Sequence, residues 1–150
     1  SYNKYFLSLP DTFKESALLE RFHGFIEGWK LPRYNVSLEV KGYTLNVEYF
    51  SEILHELREI PLYATIVEDL IEIPEKADGR HITAIKRLAV AYLKLLFPNV
   101  SSAKDIDKEE FFNYCLLPAI EKRRIILEQL ILIDPEYSQD KYEIPKIKIV

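Results

Sequence analysis

The sequence contains few of the residues that build metal and disulfide sites. One cysteine, Cys115, and three histidines stand among 150 residues. A single cysteine cannot form an internal disulfide or a cysteine-rich zinc site, so we expect no metal. No apolar run approaches the roughly 18 residues of a membrane span. The opening Ser1-Tyr2-Asn3-Lys4 does not resemble a signal peptide. These absences favour a cytoplasmic protein that does not bind membranes.

The sequence also has no methionine and only a small net charge. The 20 Lys and Arg against 24 Asp and Glu give a net charge of −4, which excludes a wholly basic nucleic-acid-binding domain but allows a local basic patch. The chain has no Met and begins with Ser1. We therefore expect either a processed start or a piece of a longer protein. Ten Tyr, eight Phe and one Trp argue for a folded chain.

Helical periodicity dominates the segments between the four glycines and eight prolines. The predicted fold is mainly α, a helical bundle with a short strand or extended segment at 35–41, where apolar and polar residues alternate. The tail at 135–150 is predicted to be extended. Helices are predicted from Thr12 to about Ile26, after Asn46, from Pro61 to Ile71, over 82–96 with an uninterrupted apolar stripe, from Asp107 to Leu116, and from Pro118 onward.

Sites for catalysis are missing from these 150 residues. No Gly-x-x-x-x-Gly-Lys-Ser/Thr motif is present, so no P-loop can hold phosphates. His55-Glu56 begins like a zinc-protease helix motif, but Glu59 stands where the second His is required. Cys115 lies among apolar neighbours, as a buried small side chain does. Taken alone, the chain is expected to be inactive and to hold no cofactor.

Arg21 is unusual because it falls on the apolar arc of the first predicted helix, between Ala17 and Phe25. Burial of an unpaired guanidinium costs several kcal/mol. Such an arginine pairs with a carboxylate, extends its head to solvent, or points at a partner. The sequence leaves these alternatives open.

Two basic clusters suggest anion binding. Arg80, Thr83, Arg87 and Lys94 recur at spacings of three, four and seven, which places a cationic stripe near the start of the fourth helix. A phosphate suits this position, although a solvated helix face explains it too. Lys122, Arg123 and Arg124 form the other cluster, most simply an exposed helix face. With Lys94, this cluster could contact DNA.

Several segments resemble the Lon-related AAA+ family that includes BrxL, from BREX phage-defence systems. The segment 19–32, with its Arg-Phe-His-Gly-Phe-Ile-Glu-Gly-Trp-Lys-Leu-Pro run, is similar to a family stretch in which Pro stands in place of Glu27. Further segments agree in the same order over about residues 5–133: Tyr49-Phe50-Ser51-Glu52, Ala84-Ile85-Lys86-Arg87, Leu93-Lys94-Leu95-Leu96-Phe97-Pro98, Ala119-Ile120-Glu121-Lys122-Arg123-Arg124 and Glu128-Gln129-Leu130.

The resemblance implies that the chain is a fragment of an ATP-driven motor. Arg21 then takes the place of the arginine finger, which reaches the ATP of a neighbouring subunit. The fourth helix would carry sensor 2, where Thr83 occupies the family's position and Arg80 or Arg87 would substitute. The parent protein would bind ATP and Mg²⁺, form a homo-oligomer, and continue into a Lon-protease-like domain after residue 150.

The same resemblance suggests three regions. Residues 1–34 would be the end of the AAA+ core with the arginine-finger helix, 35–134 a helical lid, and 135–150 an extended linker towards a downstream domain. The leading hypothesis is thus a BrxL-like ATPase fragment that supplies a finger and a lid to a motor in phage defence. The alternative is a non-catalytic helical interaction or adaptor domain.

Overall fold

The computed structural model describes residues 3–150 and is mainly helical, as the sequence predicts. Ser1 and Tyr2, with which the sequence opens, lie outside the described residues. The chain divides into two compact units, a larger one of residues 3–25 and 62–150 and a smaller one, Ile26–Pro61. In chain order the regular elements are α1 (Ser16–Leu19), α2 (Val47–Arg58), α3 (Leu62–Leu70), β1 (Ile71–Glu72), α4 (Gly79–Leu96), α5 (Lys108–Phe111), α6 (Leu117–Ile133) and β2 (Lys148–Ile149).

Helix α4 is the central helix of the larger unit and confirms the apolar stripe read from the sequence. It packs against α3 and α6. Asp78 caps its start, since the side chain accepts hydrogen bonds from the amides of Arg80 and His81. The buried positions recur at helical spacing on one face: His81, Ala84, Ile85, Ala89 and Leu93.

A π-helical segment, Phe112–Leu116, joins α5 to α6 without a break. The sequence predicts a helix to Leu116 and another from Pro118, and both helices are present. Pro118 has no amide hydrogen, and its ring crowds the carbonyl four residues earlier, at Tyr114. A widened turn relieves this crowding, so the helix passes the proline. Asp107 caps α5 by accepting from the amides of Glu109 and Glu110.

Helix α6 forms the core together with the N-terminal segment and the tail. Ile126, Leu127 and Leu130 pack with Phe6, Leu19 and Tyr137 in one buried cluster. Gln129 is also buried, and its Oε1 accepts from the amides of Tyr5 at 2.6 Å and Phe6 at 3.1 Å. The N-terminal segment is therefore held on α6 by both apolar packing and hydrogen bonds.

The tail differs from the predicted extended segment. It makes 3-10 turns at Pro135–Ser138 and Asp140–Tyr142 before β2. Strand β2 pairs antiparallel with β1, with Ile71 opposite Ile149. The tail therefore packs on the larger unit along its length, although its role as a linker stays a prediction.

The predicted first helix, from Thr12 to about Ile26, is wrong for most of its length. A 3-10 turn covers Asp11–Phe13, α1 is four residues long, and no regular helix follows before Gly28. Glu15 stands at the N-cap position of α1, and no side chain caps this helix. The carbonyls of Glu20 and Phe22, which a helix would use internally, accept hydrogen bonds from Arg123. A distant side chain thus ends the helix.

The smaller unit, Ile26–Pro61, contains α2 and no buried side chain. Asn46 caps α2 as predicted, because its side chain accepts from the amide of Tyr49 at 3.0 Å. The strand predicted at 35–41 is wrong, because Asn35 caps a 3-10 turn at Val36–Leu38 there. Val47 and Phe50, two apolar residues of α2, are exposed.

Among the described residues, no helix combines the length and the apolar character needed to cross a membrane.

Candidate functional site

A cleft of about 540 Å³ brings together four residues that the sequence singles out. One wall is the segment of residues 20–25, which we call the strap, and the other is the first half of α4. We call this the cationic cleft because three arginines line it. Its lining residues are Glu20, Arg21, His23, Asp78, Gly79, Arg80, Thr83, Ala84 and Arg87.

Helix geometry places the α4 residues of the cleft on one face. Positions 80, 83 and 87 are three and four residues apart, so their side chains project in the same direction. The hydroxyl of Thr83 donates to the carbonyl of Gly79 at 2.8 Å. The helix start contributes the positive end of its dipole to the same region.

Two of the three arginines in the cleft already have partners. Arg80 forms an ion pair with Glu20, a carboxylate that is 3% exposed and also accepts a hydrogen bond from the Tyr137 hydroxyl at 3.1 Å. Arg87 donates from Nη1 to Nε2 of His23 at 3.0 Å. Burial, with the nearby Arg87 and Arg123 charges, lowers the pKa of His23. His23 is therefore a neutral acceptor and leaves the charge of Arg87 uncompensated.

Arg21 has no side-chain partner within residues 3–150 and is exposed. The sequence places it on an apolar arc, but the helix that would carry this arc ends before it. Of the alternatives left open by the sequence, burial and pairing with a carboxylate are not what the structure shows: Arg21 is exposed and lines the cationic cleft.

The buried arginine of the fold is Arg123, which is 0% exposed. Its Nε donates to Nδ1 of His81 at 2.8 Å, and its Nη1 donates to the carbonyl of Glu20 at 3.0 Å and to that of Phe22. Its Nη2 is buried and meets no partner in the described part of the chain. Burial lowers the pKa of Arg123 to about 10, so it stays charged at neutral pH.

The structure corrects the second basic cluster. Arg123 cannot contact DNA, because it lies in the core. Lys122 and Lys94 lie over the rings of Tyr92 and Tyr63, at 5.8 and 5.7 Å from the ring centroids, and Arg124 is exposed. None of these four residues lines the cationic cleft.

Sequence reasoning missed Glu20 and His81, and it wrongly placed Arg123 on an exposed helix face. One signal was available for Arg123, since it recurs with Ala119 and Ile126 at spacings of four and three, on the face that α6 buries. His81 carries the same signal, since it lies three and four residues before Ala84 and Ile85 on the face that α4 buries. Glu20 offers no such signal, because its partners are distant in sequence.

The cleft suits a phosphate group better than a metal ion. Arginine donors around the start of a helix bind phosphate through charge-assisted hydrogen bonds. Over residues 3–150, no group of three or more His, Cys, Asp or Glu residues is placed to hold a metal.

Comparison with known proteins gives the family. The family model described as "Lon-like protease BrxL-like, ATPase domain" matches residues 1–143, and the chain belongs to this family. The Lon-like protease BrxL of Escherichia coli O9:H4 (strain HS) is 27% identical over 121 residues, which are 81% of this chain and 17% of that protein. The Lon-like protease BrxL of Bacillus cereus (strain H3081.97) is 27% identical over 116 residues, 77% of this chain and 16% of that protein. The matched region thus covers a small part of these curated relatives.

Proposed function

We propose that this chain is part of an ATP-driven, oligomeric Lon-related motor that acts in phage defence, in which Arg21 is the arginine finger. The observation that carries the proposal is the cationic cleft, which Arg21 lines together with the start of α4 and in which Arg21 has no side-chain partner among residues 3–150. Membership of a Lon-like ATPase-domain family supports it. In this role, Arg21 stabilises the charge that develops on the γ-phosphate of ATP held by a neighbouring subunit.

Within the lid, Arg87 fits the role of sensor 2 better than Arg80. The charge of Arg80 is neutralised by Glu20, whereas the partner of Arg87 is the neutral His23. The Thr83 hydroxyl already donates to Gly79 and has no hydrogen left for a phosphate. Since Arg21 and Arg87 line one cleft, both would approach the same phosphate group.

The groups that would bind ATP and Mg²⁺ are not among these 150 residues. The 150 residues contain no P-loop, so the P-loop and the Mg²⁺ ligands would come from another region of the complete protein. Any Ser/Lys dyad would likewise come from the Lon-protease-like domain of the complete protein. Alone, this chain would not turn over ATP.

The test uses the complete protein in its assembled form. Arg21→Ala is expected to lower kcat for ATP by about 10³-fold, the usual effect of losing an arginine finger. Arg58→Ala, at an exposed position near the end of α2, is the matched control. Sedimentation of each variant checks assembly. Unchanged turnover in an assembled Arg21→Ala protein would contradict the finger.

Subunit mixing tests whether the finger acts across an interface. Arg21→Ala subunits keep their own P-loop, and subunits with a substituted P-loop lysine keep Arg21. Mixed assemblies are expected to regain ATP turnover at shared sites, where an intact finger faces an intact P-loop. No recovery in verified mixed assemblies would show that Arg21 does not act in trans.

A second candidate function is a helical interaction domain. It is favoured by the smaller unit, Ile26–Pro61, in which no side chain is buried and Tyr34, Tyr43 and Tyr49 are exposed. Tyr43→Ser would then weaken assembly or partner binding, whereas Arg21→Ala would leave ATP turnover unchanged. DNA contact through Lys94, Lys122 and Arg124 stays a prediction, and binding that weakens steeply with salt would test it.

A further inference from the structure

We propose that Arg123 is a positioning residue for Arg21. It holds the strap on both sides of Arg21 and thereby keeps the Arg21 guanidinium in the cationic cleft. The inference rests on the proposed function of Arg21, but it concerns a different residue with no access to the phosphate.

The hydrogen bonds of Arg123 flank Arg21 directly. Nη1 of Arg123 donates to the carbonyl of Glu20, at 3.0 Å, and to that of Phe22, the residues immediately before and after Arg21. The Arg123 side chain and its bond to the Glu20 carbonyl are buried, so water competes little there, and the bond to the Phe22 carbonyl is part-buried. The Glu20 carbonyl belongs to the peptide group that adjoins the Arg21 Cα, and the Phe22 carbonyl belongs to a peptide group one residue further along the strap.

Two further contacts hold the other end of the strap. The amide of Phe25 donates to the carbonyl of Lys122 at 3.3 Å. Gly24 packs so closely that an added Cβ would lie 2.9 Å from Lys122 Cβ and 3.0 Å from a methyl of Leu88. The strap therefore has little freedom to move away from α4 and α6.

The same guanidinium connects the strap to the opposite wall of the cleft. Nε of Arg123 donates to Nδ1 of His81, the residue after Arg80. Nε2 of His81 in turn lies 2.8 Å from the carbonyl of Tyr142. One side chain on α6 thus sets the distance between the backbone that carries Arg21 and the helix that carries Arg80 and Arg87.

This role depends on the shape of the arginine head as well as its charge. The guanidinium is a rigid fork, and its Nε and Nη1 donors here serve two separate elements. Lysine would keep the charge but has one nitrogen on a flexible stem. Arg123→Lys therefore separates geometry from charge.

The experiment measures ATP turnover of the complete assembled protein. Arg123→Lys is expected to lower kcat by about 10²-fold, the effect of a misplacement of about 1 Å, with little change in KM. In the Arg21→Ala background, the same substitution is expected to cause no further loss, because it acts through Arg21. Arg58→Lys is the matched control. Full multiplication of the two losses, or unchanged turnover in Arg123→Lys, would overturn the proposal.

If Arg123→Lys does not fold, a second variant tests whether the position of the strap controls ATP turnover. Gly24→Ala pushes the strap away from Lys122 and Leu88 without altering any charge. It is expected to lower kcat at least 10-fold, and again not in the Arg21→Ala background. Gly28→Ala, whose Cβ meets nothing within 4 Å, is the control. A normal kcat in Gly24→Ala would count against the proposal.

Hydrogen exchange gives a readout that does not depend on activity. The amides of Arg21 and Phe22 donate to the carbonyls of Leu18 and Leu19, so they are protected while the strap stays in place. Arg123→Lys is expected to speed exchange in the strap at least 10-fold and to leave α3 unchanged. If the strap exchanges at the normal rate, Arg123 does not position it. If Arg21→Ala itself leaves turnover intact, the proposed function fails instead.

Discussion

Arg123 and His81 share a 2.8 Å hydrogen bond inside the fold, and its direction fixes the form of the histidine. Since Nδ1 of His81 accepts from Arg123, the proton of the neutral ring lies on Nε2, which donates to the carbonyl of Tyr142. Burial, followed by the Arg123 charge, lowers the pKa of His81 below its usual 6.5. Protonation would place two cations side by side, so the pair requires a neutral histidine.

Stability should consequently fall in mild acid. Below pH 6.5 the unfolded chain binds a proton at His81 that the folded chain does not, until the lowered folded pKa is reached. The free energy of unfolding is expected to be at its full value above about pH 7 and to fall by up to about 1.4 kcal/mol per pH unit below pH 6.5. Urea unfolding between pH 5 and 8 measures this.

The control for this pH dependence is His81→Gln, which can accept from Arg123 and donate to Tyr142 but does not titrate. Its stability should vary less between pH 5 and 7. A remaining slope would come from His23, whose pKa is also lowered. An identical slope in the variant and the native chain would contradict the assignment to His81.

Removal of the buried guanidinium should be costly. Arg123→Met leaves the carbonyls of Glu20 and Phe22 and the ring of His81 without their donor. We expect the free energy of unfolding to drop by about 3 kcal/mol in urea titrations. Arg124→Met, at the exposed neighbouring position, should change it by less than about 0.5 kcal/mol. Equal effects of the two substitutions would show that Arg123 contributes no special contact.

The close packing of the strap predicts that Gly24→Ala destabilises the chain. The new methyl group would lie 2.9 Å from Lys122 Cβ. Because this atom is fixed by the backbone of α6, the strap must shift. A loss of about 1–2 kcal/mol is expected from overpacking, partly offset by the lower entropy of the unfolded chain. Gly28→Ala meets no neighbour within 4 Å and serves as the comparison. A lower melting temperature in Gly28→Ala than in Gly24→Ala would refute this account.

Cys115 should resist alkylation in the folded chain. It is 0% exposed, and burial raises the pKa of its thiol to about 12. At pH 8 only about one thiol in ten thousand is then a thiolate, the reactive form. Mass spectrometry of iodoacetamide-treated protein is expected to show slow labelling of Cys115 in the folded chain. In urea, the labelling rate should rise to that of N-acetylcysteine, a fully exposed thiol. Labelling at that rate without urea would mean that Cys115 is accessible.

Local signals in the sequence predicted the ends of several helices correctly. Asn46 and Asp107 each cap the helix that follows, because capping involves only the next few residues. The apolar stripe on α4 was read correctly for the same reason, since its period is set by the helix itself. Membership of the family was also predicted from the ordered resemblance.

Long-range contacts account for the sequence predictions about Arg21 and Arg123 that the structure contradicts. The sequence places Arg21 on an apolar arc and Arg123 on an exposed face, yet the fold exposes Arg21 and buries Arg123. The difference arises because Arg123 captures carbonyls of the strap, about 100 residues earlier in the chain. Arg21 lies far from Arg80, Thr83 and Arg87 in the sequence but lines the same cleft, so spacing alone could not predict that these four residues meet.

The π-helical segment Phe112–Leu116 has a consequence for the alignment of relatives. A π turn accommodates an additional residue, so it rotates everything after it by about 100° relative to an unbroken α-helix. In an unbroken α-helix of the same sequence, Arg123 would be turned by about 100° from the buried position that it has here. A relative that lacks one residue at 112–116 and forms an unbroken α-helix there would present the same face of α6 to α4, whereas a relative of unchanged length needs the π turn to keep the guanidinium beside His81. An alignment that seeks the buried pair in relatives should therefore allow a gap of one residue in this stretch.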